Sequence, residues 1–281
     1  MQLEQYSLNY VVKNFLINLI KAIDINNLHS QLSLSNLSLQ LSTDTDSFVY
    51  KTPIFEQLKI NSPQLKNLLT QKLLTLFEEN YSYGDFKLKI NSSHWLEIAV
   101  CDPEGVCCAA RILNQWLNNL SRLTKINIIK QKNNSNKTEK KAKFIYYYTH
   151  ARCCSILTSA HKQNLIQLNN LDFKINDWYW QKTKDINFNS LNFYKGYESK
   201  LIRELVIIID KIEANKINYL TSLENLTQKI LDVEKHCRIW GEVLKNNKDI
   251  SLARLALIMI ALKYYQTLIH AQFSLELPSE L

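Results

Sequence analysis

The chain has 281 residues, 46% of them hydrophobic and 21% charged, with a net charge of +8. That is enough apolar material for one large domain or two ordinary ones. With only 4 Gly and 4 Pro, Gly-rich phosphate loops, doubly wound dinucleotide folds and turn-rich β sandwiches are disfavoured, and long helices are favoured.

The charge is unevenly spread. Residues 1–120 carry 9 basic and 11 acidic side chains, residues 121–185 carry 13 and 4, and residues 186–281 carry 12 and 11. Basic charge concentrated in the middle favours a polyanionic partner, because phosphate neutralisation releases counterions. The six cysteines (Cys101, Cys107, Cys108, Cys153, Cys154 and Cys237) form no CxxC pair, and four of them are adjacent in sequence. They read as reduced thiols in a cytosol-like compartment, so a cytoplasmic protein, or one of an organelle stroma, is expected. There is no signal-peptide pattern, and no apolar run approaches the ~18–20 residues that span a bilayer. No membrane partner and no cofactor are expected.

In chain order, residues 7–23 read as an amphipathic helix with Ser7 as its cap. From 31 to 41, Leu32 and Leu34, then Leu37, Leu39 and Leu41, alternate with polar residues. The break in phase at Asn36 predicts two short strands or a bulge. The segment 48–60 stays open. Ser62-Pro63 predicts a cap and first helical residue, with Leu65, Leu68, Leu69, Leu73 and Phe77 inside. Phe86, Leu88 and Ile90, a turn at Asn91-Ser92-Ser93, and Leu96, Ile98 and Val100 predict a hairpin. Asp102-Pro103-Glu104 then starts a helix whose buried stripe is Val106, Ala110, Leu113 and Leu117.

Residues 123–143 are expected to be a basic flexible linker between an N-terminal α+β domain (1–122) and an all-α bundle (144–281). The Lys/Asn-rich run 130–143 cannot form a core. The bundle opens on 146–157, which as a helix places Phe144, Tyr147, Tyr148, Ala151, Cys154 and Ser155 on one stripe. His150 and Arg152 fall off that stripe and are expected to be exposed. The aromatic stretch 165–197 holds Trp178-Tyr179-Trp180, Phe188, Phe193 and Tyr194 among Lys174, Lys182, Lys184 and Lys195. Such aromatics either plug a core or stack on unpaired bases. Three long helices follow: 198–217, one from a capping box at Thr221 and Glu224, and one from near Ser251.

Two other chemistries have weak signals. His150 with Cys153 or Cys154 has the helical spacing of a Cys–His pair but lacks an orienting third group. Cys101, Cys107, Cys108 and His94 lack metal-ligand spacing. His236-Cys237 reads as structural.

Several motifs together resemble a known family. Tyr148-x-His150-Ala151-Arg152-x-x-Ser155-Ile156-Leu157 is similar to the opening of the C-terminal helical anticodon-binding domain, the DALR domain, of arginyl-tRNA synthetases. Glu198-x-x-Leu201-Ile202-Arg203-x-Leu205 resembles that domain's second helix. Ser251-Leu252-Ala253-Arg254-Leu255-Ala256-Leu257 resembles its Arg-Leu-Ala-Leu signature, and Pro278-Ser279-Glu280-Leu281 its ending. Phe86 to Val100 more weakly resembles the end of the family's N-terminal accessory domain. The family's His-x-Gly-His type ATP-binding signature is absent, and a short polar linker stands where its catalytic domain would be.

The resemblance implies a mainly α, α+β protein that binds an anticodon stem-loop without catalysing aminoacylation. Its expected partner is tRNA, an arginine tRNA being one candidate. Expected contacts are Tyr146, His150, Arg152, Lys140, Lys141, Lys143, Arg254 and Trp178. The alternatives are a helical scaffold for protein interaction, or an accessory acting in trans with a separate synthetase.

Overall fold

A computed structural model describes residues 7–23, 37–42, 48–81, 86–91, 93–100, 108–119, 143–174, 178–181, 186–193, 195–275 and 277–280. The chain is mainly α with one small antiparallel sheet, and it divides into two compact units, Met1–Ala110 and Arg111–Leu281.

In the first unit, helix α1 (Leu8–Lys21) begins where expected: Ser7 Oγ accepts from the Tyr10 N–H at 3.1 Å. That bond satisfies one of the amides a helix start leaves open. Its apolar face, Leu8, Val12, Phe15, Leu16, Leu19 and Ile20, is buried. Strands β1 (Gln40–Leu41), β2 (Val49–Thr52), β3 (Lys87–Ile90) and β4 (Leu96–Ala99) pair antiparallel in the order β1-β2-β4-β3. The predicted hairpin is β3–β4, with Leu88 opposite Ile98. Asn91 closes it, its Oδ1 accepting from the N–H groups of Ser93 and Trp95 at 3.0 and 2.9 Å. Period-two alternation puts Tyr50, Thr52, Leu96 and Ile98 on the buried face. On the other face Lys51 and Glu97, opposite each other in the register, form a 3.5 Å ion pair.

The segment left open by the sequence is β2 followed by the short helix α2 (Ile54–Gln57). Helix α3 (Pro63–Tyr81) starts at the predicted proline. Leu69 and Leu73 are buried, and Phe15 of α1 meets Phe77 edge-on and stacks on Phe86 at 4.4 Å. Leu65 and Leu68, expected inside, are exposed. The first turn of α3, with Pro63, Gln64 and Leu65 all exposed, extends beyond the stripe that α1 and β3 cover. The predicted strand around Leu32 and Leu34 and the acidic helix start at 102–104 lie outside the described residues. Helix α4 (Cys108–Asn118) follows, with Ala110, Leu113 and Leu117 buried as expected.

The second unit is built around α9 (Lys248–Phe273), the longest helix described. The others are α5 (Phe144–Lys162), α6 (Tyr197–Glu213), α7 (Tyr219–His236) and the short α8 (Glu242–Asn246), with a 3-10 turn at Phe188–Ser190. All four helices and that turn pack on α9. From Ser251 to Ile269 α9 is buried on nearly every face. A helix apolar all round has to be central. By length and composition alone α9 would cross a bilayer, contrary to the absence of such a run expected from sequence, but 89% of its most apolar window is buried among the other helices. Trp116 of α4 meets the Tyr264 ring edge-on at 6.1 Å.

Two helix starts correct the sequence reading. Asn218, not Thr221, caps α7, its Oδ1 accepting from the Thr221 N–H at 3.2 Å. Glu224 therefore lies beyond the capping position and reaches Lys143 instead. Asn247 caps α9 in the same way, so the helix starts at Lys248, three residues ahead of the predicted start.

Candidate nucleic-acid interface

Helix α5 turns a different face inward from the one its sequence suggests. The buried residues are Tyr146, Thr149, His150, Cys153, Leu157 and Ala160, spaced at three and four, with Ala151, Cys154 and Ile156 beside them. Phe144, Tyr148 and Ser155, placed on the inner stripe by sequence, are exposed. The anchor is Tyr146: its ring meets Phe273 at 5.9 Å, and its carbonyl accepts from the Tyr265 hydroxyl at 3.2 Å. His150 is 1% exposed and cannot present an imidazole to a ligand. Its Nδ1 lies 2.9 Å from the Pro278 carbonyl and its Nε2 2.9 Å from Gln266 Nε2. Burial lowers the His150 pKa, partly offset by the Pro278 bond, so the neutral ring is favoured.

The cations proposed for RNA contact are matched to carboxylates within the bundle. Arg152 donates from Nε and Nη2 to Glu234 Oε1 on α7, at 2.9 and 2.7 Å. Lys143 pairs with Glu224 at 2.7 Å, and Tyr146 reaches the same carboxylate oxygen at 3.4 Å. Arg254 donates to Glu198 at 2.6 Å and also to the Arg238 carbonyl. Its pair with Glu198 is the most enclosed, the two side chains being 16% and 9% exposed. It ties the start of α9 to the start of α6 and the end of α7. Trp178 is fully buried, its Nε1–H donating to Gln266 Oε1 at 3.0 Å. Lys140 and Lys141 lie outside the described residues, as do Lys182, Lys184 and Tyr194.

The aromatic stretch 165–197 largely fills the core. Among the described residues Phe173, Trp178, Trp180, Phe188 and Phe193 are buried, whereas Tyr179 is exposed and Tyr197 partly so. Cys153 and Cys154 are buried thiols with raised pKa values. Burial, with Glu234 nearby, pushes Cys153 up to about 12. Cys154 lies 3.8 Å from His150 Nδ1, but burial first and then Cys153 raise it further. A thiol held protonated is no nucleophile. Among the described residues no group of His, Cys, Asp and Glu has the arrangement of a metal site. Cys101 and Cys107 fall outside them.

What sequence reasoning missed is an exposed surface at one end of the second unit. The Arg254–Glu198 pair draws together the first turn of α6, the last turn of α7 and the start of α9. There the rings of Tyr197 and His236 stack at 4.1 Å with an interplanar angle of 9°. Lys200 Nζ sits 5.7 Å from the Tyr197 ring centroid. Lys195, Lys235, Arg238, Lys245 and Lys248 are exposed on the same end of the helices. Among the described residues none of these cations is held in an ion pair. Gly196 and Gly241, at φ +95° and +75°, make the sharp entries into α6 and α8. The signal was in the helix period: Leu226, Ile230, Val233 and Cys237 define the buried face of α7, which leaves Lys235, His236 and Arg238 outside it.

Comparison with known proteins gives no match: no family model, no curated protein and no solved structure corresponds to the chain.

Proposed function

We propose that this chain is a non-catalytic RNA-binding protein whose ligand is a tRNA stem-loop, and that the RNA meets the Tyr197–His236 end of the second unit. The observation that carries this reading is the stacked Tyr197–His236 pair ringed by exposed cations. An aromatic surface offers stacking to any unpaired base, and unpaired lysines and an arginine hold phosphates on either side. The resemblance of 144–281 to an anticodon-binding domain supports the same reading. It also motivates the choice of tRNA over DNA. Lys140 and Lys141, just before α5, add long-range attraction to the polyanion.

The test is equilibrium binding of total tRNA to the full chain across a salt series. Wild type should bind at low salt, and its affinity should fall linearly on logarithmic axes as salt rises. Replacing Lys200, Lys235 and Arg238 together by Ala should reduce the salt slope by roughly three, about one for each phosphate left without its cation. A smaller reduction is expected from Lys140, Lys141, Lys143 and Arg152 replaced together by Ala. No binding at low salt contradicts the reading and leaves a protein-interaction scaffold as the better account. Arginine-dependent exchange into ATP should read zero, and measurable exchange would overturn the non-catalytic assignment.

A further inference from the structure

The buried polar chain through His150 admits a single arrangement of protons. The Trp178 indole Nε1–H only donates, so it fixes Gln266 with Oε1 toward it, at 3.0 Å. The amide nitrogen of Gln266 must then donate to the Phe173 carbonyl at 2.6 Å and to His150 Nε2 at 2.9 Å. His150 Nε2 is therefore the acceptor, and Nδ1 carries the hydrogen that reaches the Pro278 carbonyl at 2.9 Å. The chain joins α5, α9, Phe173, Trp178 and the C-terminal tail.

We propose that His150 is a proton-operated lock on Phe173 and Trp178. Neutral, it accepts from Gln266 and both residues are held. When Nε2 gains a proton, two donors face each other, and Gln266 has to turn its oxygen toward the ring. Its amide nitrogen then faces the Trp178 N–H, and the Phe173 carbonyl loses its donor. The Nδ1 bond to Pro278 survives, because Nδ1 carries a hydrogen in both states. Acid thus releases Phe173 and Trp178 from Gln266 and leaves the tail attached.

Cys154 on α5 is a neutral thiol. From α9 comes Lys263, 1% exposed, its Nζ 4.3 Å from the Trp178 ring centroid. The tail contributes a carbonyl, with Glu280 exposed beyond it. The aromatic segment contributes Trp178 and the Phe173 carbonyl, with Asp172 and Lys174 exposed on either side of Phe173. No described carboxylate pairs with the ring.

The test is hydrogen exchange of the full chain at pH 7.5 and 5.5, corrected for intrinsic rates. Peptides covering 168–181 should exchange roughly tenfold faster in acid, as when a buried hydrogen-bonded group is left unsatisfied. Peptides from α6 and α9 should hold their protection. Gln266→Glu should abolish the acid step, since a carboxylate has no N–H for the Phe173 carbonyl at either pH and the same peptides should exchange fast at both. Histidine ring nitrogen shifts at pH 7.5 should show Nδ1 protonated, a readout independent of that variant's folding. Unchanged exchange at 168–181, acceleration of all second-unit peptides together, or an Nε2–H tautomer would each overturn the proposal.

Discussion

Helix α5 and the Tyr197–His236 end carry the same chemical groups: a phenol, an imidazole and basic side chains. In α5, Tyr146 and His150 are buried, and Arg152 is held by Glu234. At the other end the two rings stack on each other beside Lys200, and the cations around them are exposed. Residue type is shared, whereas availability is set by what the opposing helix brings. Glu224 and Glu234 of α7 face α5 and neutralise its cations, whereas Glu198 is engaged by Arg254, inside the fold.

Breaking that internal pair tests the contrast most severely. Arg254→Ala leaves Glu198 buried without its cation and should cost about 3 kcal/mol or more. Urea unfolding of the full chain should show it. A loss below about 1 kcal/mol would mean the pair does not organise the basic end. Next in size, Tyr197→Ala should weaken tRNA binding by about 1–3 kcal/mol through lost stacking. Thermal stability should change little, since Tyr197 is partly exposed.

Acid gives the third effect. Because the fold lowers the His150 pKa, its neutral form contributes stability above the ordinary value near 6.5, and that contribution is lost as pH falls below it. Wild type should therefore lose stability relative to His150→Gln as pH falls below about 6.5. Taking the difference isolates His150 from Glu204, whose burial raises its pKa and whose contribution has the opposite sign. A constant difference as pH falls would remove His150 from the account. Smallest of all, Arg152→Ala removes a half-exposed ion pair and should cost no more than about 1 kcal/mol. Its effect on tRNA affinity should be well below that of Arg238→Ala.

The parts of the fold legible in sequence are those set by neighbours along the chain. Ser7 capping α1, Ser62-Pro63 opening α3 and the β3–β4 hairpin all follow from local turn and capping chemistry. The inner face of α5 did not, because Tyr146, Tyr147 and Tyr148 are consecutive and any of them suits a core. The choice of Tyr146 is made by Tyr265 and Phe273, more than a hundred residues away. His150 is buried for the same reason, by Gln266 and Pro278. At α7 two capping signals compete within four residues, and Asn218 prevails over Thr221. The candidate interface was half legible. The period of α7 leaves Lys235 and His236 outside its core, but their meeting with Tyr197 depends on α6 and α7 packing together.

The most direct measurement compares two variants of the full chain for tRNA affinity at low salt. One replaces Lys200, Lys235 and Arg238 by Ala, and the other replaces Arg152 by Ala. The account predicts a large loss and a shallower salt slope in the first, with near wild-type binding in the second. Equal binding by the first variant and wild type, or a larger loss in the Arg152 variant, would contradict it.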